Sequence, residues 1–370
     1  MVTKIVIIIF DKTNYKIVKK QLFYLFLLTY FLIPFHSYTQ ETKNLENSEK
    51  VTKLFKTQEI LPIKLNYSNK DIKRNTNDST FIKTDLSYKQ EDGTWKTFEV
   101  DLRARGYFRR RTCYFQQIKI EIKKSVAKET LFKGNKKLKL VLPCLKRYDM
   151  NDNIIKEFMA YKLFEIISPY HLKIRIVSVD FTETRGKKTI DHKLKGFLIE
   201  DDKKVADRFN GRVFKGKMHP LGMDSITSVR CAFFQYMIGN VDFSTAYQHN
   251  QKLIYIDKKV HPVPYDFDMC GLVDANYAVV SLVQKEEFPI TEVTERIYRG
   301  FKRDDKIFQQ IRNEYLNNKD KFFEIIDSFE HDFDDPKEFS NARKYIAEFF
   351  DVMENDYQFK SKIISAARTK

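Results

Sequence analysis

Residues 239–271 run GNVDFSTAYQHNQKLIYIDKKVHPVPYDFDMCG. Gly239-Asn240 reads as a helix stop, and an acid, Asp242, follows at once. A short polar loop ends in His249-Asn250. Residues 253–256 and 260–263 read as two short strands, joined by a turn at Asp257-Lys258-Lys259. Pro264-Tyr265-Asp266-Phe267-Asp268 comes next. This order of loop acid, amide, hairpin and second acid suits phosphoryl transfer. One acid orients an acceptor hydroxyl, while an amide and an acid hold Mg²⁺ on the phosphates. Magnesium takes oxygen ligands and needs only one or two protein carboxylates. In an extended segment alternate side chains face opposite ways. Asp266 and Asp268 therefore point together, and Phe267 points the other way, into the core.

Period-two alternation, as in Phe98-Val100-Leu102 and Ile118-Ile120-Ile122, marks strands at 59–67, 81–88, 97–105, 117–123 and 137–142. Asn151-Asp152-Asn153 offers caps for a helix over 154–167, stopped by Pro169. Strands at 173–181 and 195–200 follow. The chain then turns helical at 224–238, 305–316, 319–329 and 336–354. In the last, Asp335 caps, Pro336 takes the first position and Glu338 completes the capping pattern. Phe339, Ala342, Ile346, Phe349 and Met353 share one face of that helix. The expected fold class is α+β, with a sheet-rich lobe, a connector near Glu200 and a helical lobe. That is the element order of a two-lobed protein-kinase-like fold, with an antiparallel-sheet N-lobe.

The chain has 370 residues, with 32 Phe and 20 Tyr, enough for a large core. Its formal charge of +16 suits phosphate ligands, anionic lipid or nucleic acid. A Lys-rich solvated surface accounts for it more simply, and no nucleic-acid partner is expected. Lys19-Lys20, the apolar run 22–33 and Ser37-Tyr38-Thr39 read as an export signal cleaved before Gln40. The alternative is an N-terminal membrane anchor. Cleavage takes five Lys and one Asp and lowers +16 by four to +12. The expected organisation is a signal peptide at 1–39, a polar lead at 40–58, the sheet-rich lobe at 59–198 and the helical lobe at 199–370. The product would be periplasmic or secreted, with no stable membrane span after cleavage. Four cysteines allow three pairings. The expectation is Cys113–Cys144 in the sheet half, with Cys231 and Cys270 free and partly buried; four unpaired thiols are the alternative. His171, His192, His219, His261 and His331 have no zinc-ligand spacing.

Several segments resemble the CotH kinase-like family of spore-coat proteins and its exported relatives in Bacteroidetes. They are Arg103-Ala104-Arg105-Gly106, LKLVLP at 138–143, IIKEFMAYKLFEII at 154–167, GFLIEDD at 196–202, GNVD at 239–242, HN at 249–250 and PYDFD at 264–268. The resemblance implies transfer of phosphate from ATP, with Mg²⁺ or Mn²⁺, to protein Ser/Thr hydroxyls. It implies that Asp242 orients the acceptor. Asn250 and Asp266 would bind metal, with Asp268 beside them. Lys139 would pair the phosphates, with Lys119 as rival, and Glu157 would orient that lysine. Arg105, Gly106 and the Arg109-Arg110-Arg111 cluster would lie over the phosphates, and Glu200 is counted among the nucleotide-binding residues.

The chain departs from ordinary kinase motifs. It has no G-x-G-x-x-G, Val241 precedes Asp242, and DFD replaces DFG. Asn250 comes eight positions after Asp242 rather than five, so His249 is an alternative ligand. Two other functions fit the same residues. One is a non-catalytic envelope or surface binding protein. The other is a metal-dependent hydrolase using Asp242, His249, Asp266 and Asp268.

Overall fold

The computed structural model describes residues 50–146, 150–280 and 288–369. The expected export signal lies outside them. Seven strands make the first half: β1 (Leu61–Tyr67), β2 (Ile82–Lys89), β3 (Trp95–Arg105), β4 (Gln117–Glu121), β5 (Lys137–Val141), β6 (Ile174–Arg185) and β7 (Lys188–Glu200). Alternation drives them, since one face of each carries apolar residues that must leave water. Ile63, Leu65, Leu86, Val100, Leu102, Ile118, Ile120, Leu138, Leu140, Val177, Val179 and Leu198 share one buried core.

The strands follow the order β1-β2-β3-β4-β5-β7-β6 and close into a barrel. Closure comes from a parallel pairing of β1 with β6, from Leu61 opposite Val177 to Tyr67 opposite Glu183. The other pairings are antiparallel. This corrects the expected kinase-like two-lobed fold with an antiparallel-sheet N-lobe and a mainly helical C-lobe. The chain forms a closed, mixed seven-stranded barrel and a separate helical region. An open sheet leaves two unpaired edges, and joining β1 to β6 removes both. The β6–β7 hairpin is longer than its two predicted strands. Arg185 pairs with Lys188, so Gly186-Lys187 is a two-residue turn, and Gly186 supplies the positive φ of +60° that such a turn requires.

The stretch read as a polar lead contributes to this core. Leu54 and Phe55 are buried in it, and Arg175 donates to the carbonyls of Leu54 and Glu59. Short helices interrupt the strands: α1 (Asn69–Asn75), α2 (Tyr107–Thr112) and α3 (Lys124–Lys128).

α4 (Met150–Ile167) runs between barrel and helices and is buried on most of its surface. Phe197 and Ile199 of β7 face away from Leu198 and join the helical core with Phe158, Tyr161 and Phe164. The helical region continues with α5 (Asp202–Arg208), α6 (Ser225–Met237), α7 (Asp305–Asn317), α8 (Lys319–Asp327), α9 (Pro336–Glu354) and α10 (Asp356–Phe359). A small sheet of β8 (Arg212–Val213), β9 (Gln251–Ile256) and β10 (Lys259–Pro264) lies between α5 and α7 in sequence. Among the described residues, no helix is long and apolar enough to cross a membrane.

Cys113 and Cys144 form a disulfide, while Cys231 and Cys270 are free and buried. The bridge ties the end of α2 to the chain leaving β5. The amides of Tyr114 and Phe115 reinforce it by donating to the Cys144 carbonyl. The closed loop spans 31 positions, which by chain entropy is worth about 3–4 kcal/mol. Cys113→Ser should therefore lower Tm clearly, and reductant should then leave the variant's Tm unchanged. An unaltered melting temperature would contradict this.

Candidate functional site

The site gathers on five pieces of chain: the end of β3 with α2, the middle of β5, the first half of α4, and the two segments flanking the β9–β10 hairpin. Gly106 starts α2 with φ +78° and lets the chain turn sharply off β3. That turn sends Arg109 inward, where its guanidinium is buried among carboxylates. Nε donates to Asp268 Oδ2 at 2.7 Å, and Nη2 lies 2.6 Å from Asp268 Oδ1. The same Nη2 reaches Glu157 Oε2 at 3.3 Å and Asp266 Oδ1 at 3.7 Å. Arg105 Nη1 lies 3.9 Å from the same Asp266 oxygen.

Asp266 sits in left-handed backbone with φ +66°, a conformation Asp tolerates better than most residues. Its amide donates to the Tyr161 hydroxyl at 2.9 Å. Phe267 turns away into the core against Tyr161 and Phe234, so Asp266 and Asp268 both face Arg109. Burial pushes the Asp266 carboxyl up, but Arg109, Arg105, Lys139 and His249 outweigh it and hold the carboxyl below its ordinary range. Burial dominates for Glu157 and Asp268 and raises both.

Lys139 lies on β5, with its Nζ buried, without a hydrogen-bond partner and 4.2 Å above the Tyr265 ring. Burial, with the charges of Arg105 and Lys252, pushes its ammonium down to about 7. Two carboxylate oxygens, Asp266 Oδ1 and Glu157 Oε1, are also buried without a hydrogen bond.

The acid loop packs beside this cluster. Asp242 Oδ1 lies 3.0 Å from His249 Nε2, and Asn250 Nδ2 donates to Asp242 Oδ2 at 2.9 Å. The hydrogen bond to Asp242 raises the His249 imidazole above its usual value. Tyr265 N donates to the Asn250 carbonyl, tying the loop to the Asp266 segment. Gly239 and Gly271 meet through a backbone hydrogen bond, and a Cβ on either would collide with the Tyr345 hydroxyl. The late Gly271 thus serves close packing.

Several expected roles change. Glu157 pairs with Arg109, not with Lys139, because the guanidinium reaches it first. Asp268 is held at both oxygens by Arg109. The Asn250 amide nitrogen is spent on Asp242. Glu200 is buried and engaged by Arg208 and the Lys173 amide. The rival Lys119 pairs with Glu121 at 2.9 Å. Arg110 caps the carbonyls of Lys73 and Thr76. Among the described residues, no group of three His, Cys, Asp or Glu side chains is arranged to hold a metal ion.

Arg299 carries a role absent from the sequence reading. Its Nη1 donates to the carbonyls of Val241 and Phe243, both at 2.6 Å. It therefore clamps the carbonyls of the two residues flanking Asp242. Nothing local marks it, because it lies 57 positions away in a stretch without strong periodicity.

A concavity of about 550 Å³ lies elsewhere, on the outer barrel wall beside Asp180 and His192. Arg105 Nε, Lys139 Nζ, Glu157 Oε1 and Asp266 Oδ1, all buried without a hydrogen bond, gather instead beside the Asp242 loop and make that cluster the candidate site. Barrel, helical region and cluster together define a protein with a buried carboxylate–guanidinium centre flanked by an unpaired lysine. No family model matches the chain, and no curated protein matches it either.

Proposed function

We propose that this centre binds ATP with Mg²⁺ or Mn²⁺ and transfers phosphate to Ser/Thr hydroxyls of a protein acceptor, as the CotH-like motifs imply, in an exported protein. The reading rests on side chains, since one chemistry recurs on unrelated scaffolds. The observation that carries it is Lys139: a buried ammonium with no partner, beside Arg105 and Asp266. A phosphate oxygen would satisfy Lys139, and a divalent cation would satisfy Asp266 Oδ1, so the orphaned atoms fit both groups. Asp266 and Asn250 would hold the cation, which would neutralise phosphate charge. Lys139 and Arg105 bind phosphate oxygens. His249 orients Asp242, whose carboxylate accepts the acceptor hydroxyl's proton as the new P–O bond forms and the bond from the γ-phosphorus to the β,γ-bridging oxygen breaks, with ADP leaving.

The test is incubation of the full chain with γ-labelled ATP, Mn²⁺ and a hydroxyl-rich protein acceptor. Label on protein that disappears in Asp242→Asn is expected. Equal labelling by parent and variant would contradict the role of Asp242. Arg299→Ala should lower kcat by about 10²-fold through displacement of Asp242, with KM for ATP nearly unchanged. A fall confined to KM would contradict the clamp.

A further inference from the structure

We infer that Arg109 stands in for one divalent cation, so that the centre takes a single metal ion, at Asp266. The inference deepens the proposed phosphoryl-transfer reading and rests on it. Phosphoryl-transfer sites commonly hold two ions about 3.5–4 Å apart, bridged by shared carboxylates. Here the carboxylates for such a pair are present: Asp266, Asp268 and Glu157 converge on one point. That point is filled by the protein's own cation. Arg109 Nη2 lies within 2.6 Å of Asp268, 3.3 Å of Glu157 and 3.7 Å of Asp266. An ion bound to Asp268 and to Glu157 Oε2 would need the very oxygens the guanidinium occupies.

Two observations show that the arrangement is built in. The guanidinium and both partner carboxylates are buried, with Arg109 6%, Asp268 4% and Glu157 1% exposed. The bidentate geometry on Asp268 is the strong form of a carboxylate pair. Asp266 is left different from the other two. It is the most open of the three, and its Oδ1 lacks a hydrogen bond. One carboxylate therefore remains for metal, and Glu157 Oε1, also unpartnered, marks the capacity that Arg109 suppresses. Removing the guanidinium would leave three converging carboxylates, with Arg105, Lys139 and His249 acting on Asp266 from farther off. Such a cluster should recruit a divalent ion.

Manganese binding to the full chain, followed by electron paramagnetic resonance, tests this with and without a non-hydrolysable ATP analogue. The parent should bind one Mn²⁺ per chain, and only with the analogue. Arg109→Gln should bind an additional Mn²⁺ even without it, and Arg109→Gln combined with Asp268→Asn should lose that addition. Two Mn²⁺ in the parent would overturn the inference while leaving phosphoryl transfer standing. A folded Arg109→Gln that gains no Mn²⁺ would overturn it as well. No Mn²⁺ in the parent with the analogue would remove both this inference and the metal-assisted reading. If Arg109→Gln fails to fold, the parent count together with Glu157→Gln decides: Glu157→Gln should still bind one.

Discussion

Asp266→Asn should abolish metal-dependent nucleotide binding, whereas Asp242→Asn should keep binding and lose transfer. The substitution at Asp266 preserves shape and removes the carboxylate that surrounding cations keep ionised. The fold should survive it, because Arg109 retains Asp268 and Glu157. Asp242 is engaged by His249 and Asn250, and in the proposed transfer its task begins only with the acceptor. Loss of a positioned acid–base group costs about 10²–10⁴-fold in rate. Equilibrium dialysis with labelled ATP and Mn²⁺, paired with a transfer assay, separates the two variants. Binding by Asp266→Asn at parental affinity would show that the metal carboxylate has been misassigned.

Lys139→Met should make the ligand-free protein more stable and inactive. A buried ammonium without a partner carries a desolvation cost of about 1–3 kcal/mol, which Met, of similar length, does not incur. The contact with the Tyr265 ring recovers only part of that cost. The sign with pH follows from the lowered value. Between about 7 and 10.5 the unfolded chain binds a proton that folded Lys139 has given up. Folding is therefore favoured as pH rises through that window, and the rise should be missing in Lys139→Met. Denaturant melts at several pH values measure both effects. A variant less stable than the parent at pH 7 would mean that Lys139 has a partner and is not waiting for one. Phosphate binding should also drive the proton back onto Lys139, so ATP affinity should fall as pH rises above about 7.

Much of the site was legible because its spacing is local. Asp242, His249 and Asn250 share one loop, and Asp266 and Asp268 lie two residues apart; their common direction was expected from alternation and is kept, although left-handed backbone at Asp266 replaces the extended chain assumed. Phe267 went into the core for the same reason. The Cys113–Cys144 bridge was also foreseen. What the sequence did not give away was which cation meets which acid. Glu157 was expected to orient Lys139, but Arg109 arrives on α2, a six-residue helix with no periodicity to read. Its reach depends on the turn at Gly106. Arg299 acts across 57 positions and left no local mark.

The fold shows the same division. Most strands and long helices lie where alternation and capping placed them, and α9 begins at Pro336 with Asp335 as its cap. Closure of the barrel was not legible. It depends on β1 and β6 pairing in parallel across more than a hundred residues, and period-two alternation is the same in an open sheet and a closed one. The far end of β6, Thr182 to Arg185, is polar, and 188–191 of β7 are exposed, which hid how far the hairpin extends.

The most direct test of a nucleotide-binding centre at Lys139 and Asp266 is a thermal melt of the parent chain with ATP and Mn²⁺ or Mg²⁺. At a hundredfold excess over its dissociation constant the ligand should stabilise the fold by about 2.7 kcal/mol, a plain rise in Tm. The rise should require both nucleotide and metal. No shift with any nucleoside triphosphate, in either metal, would contradict the account.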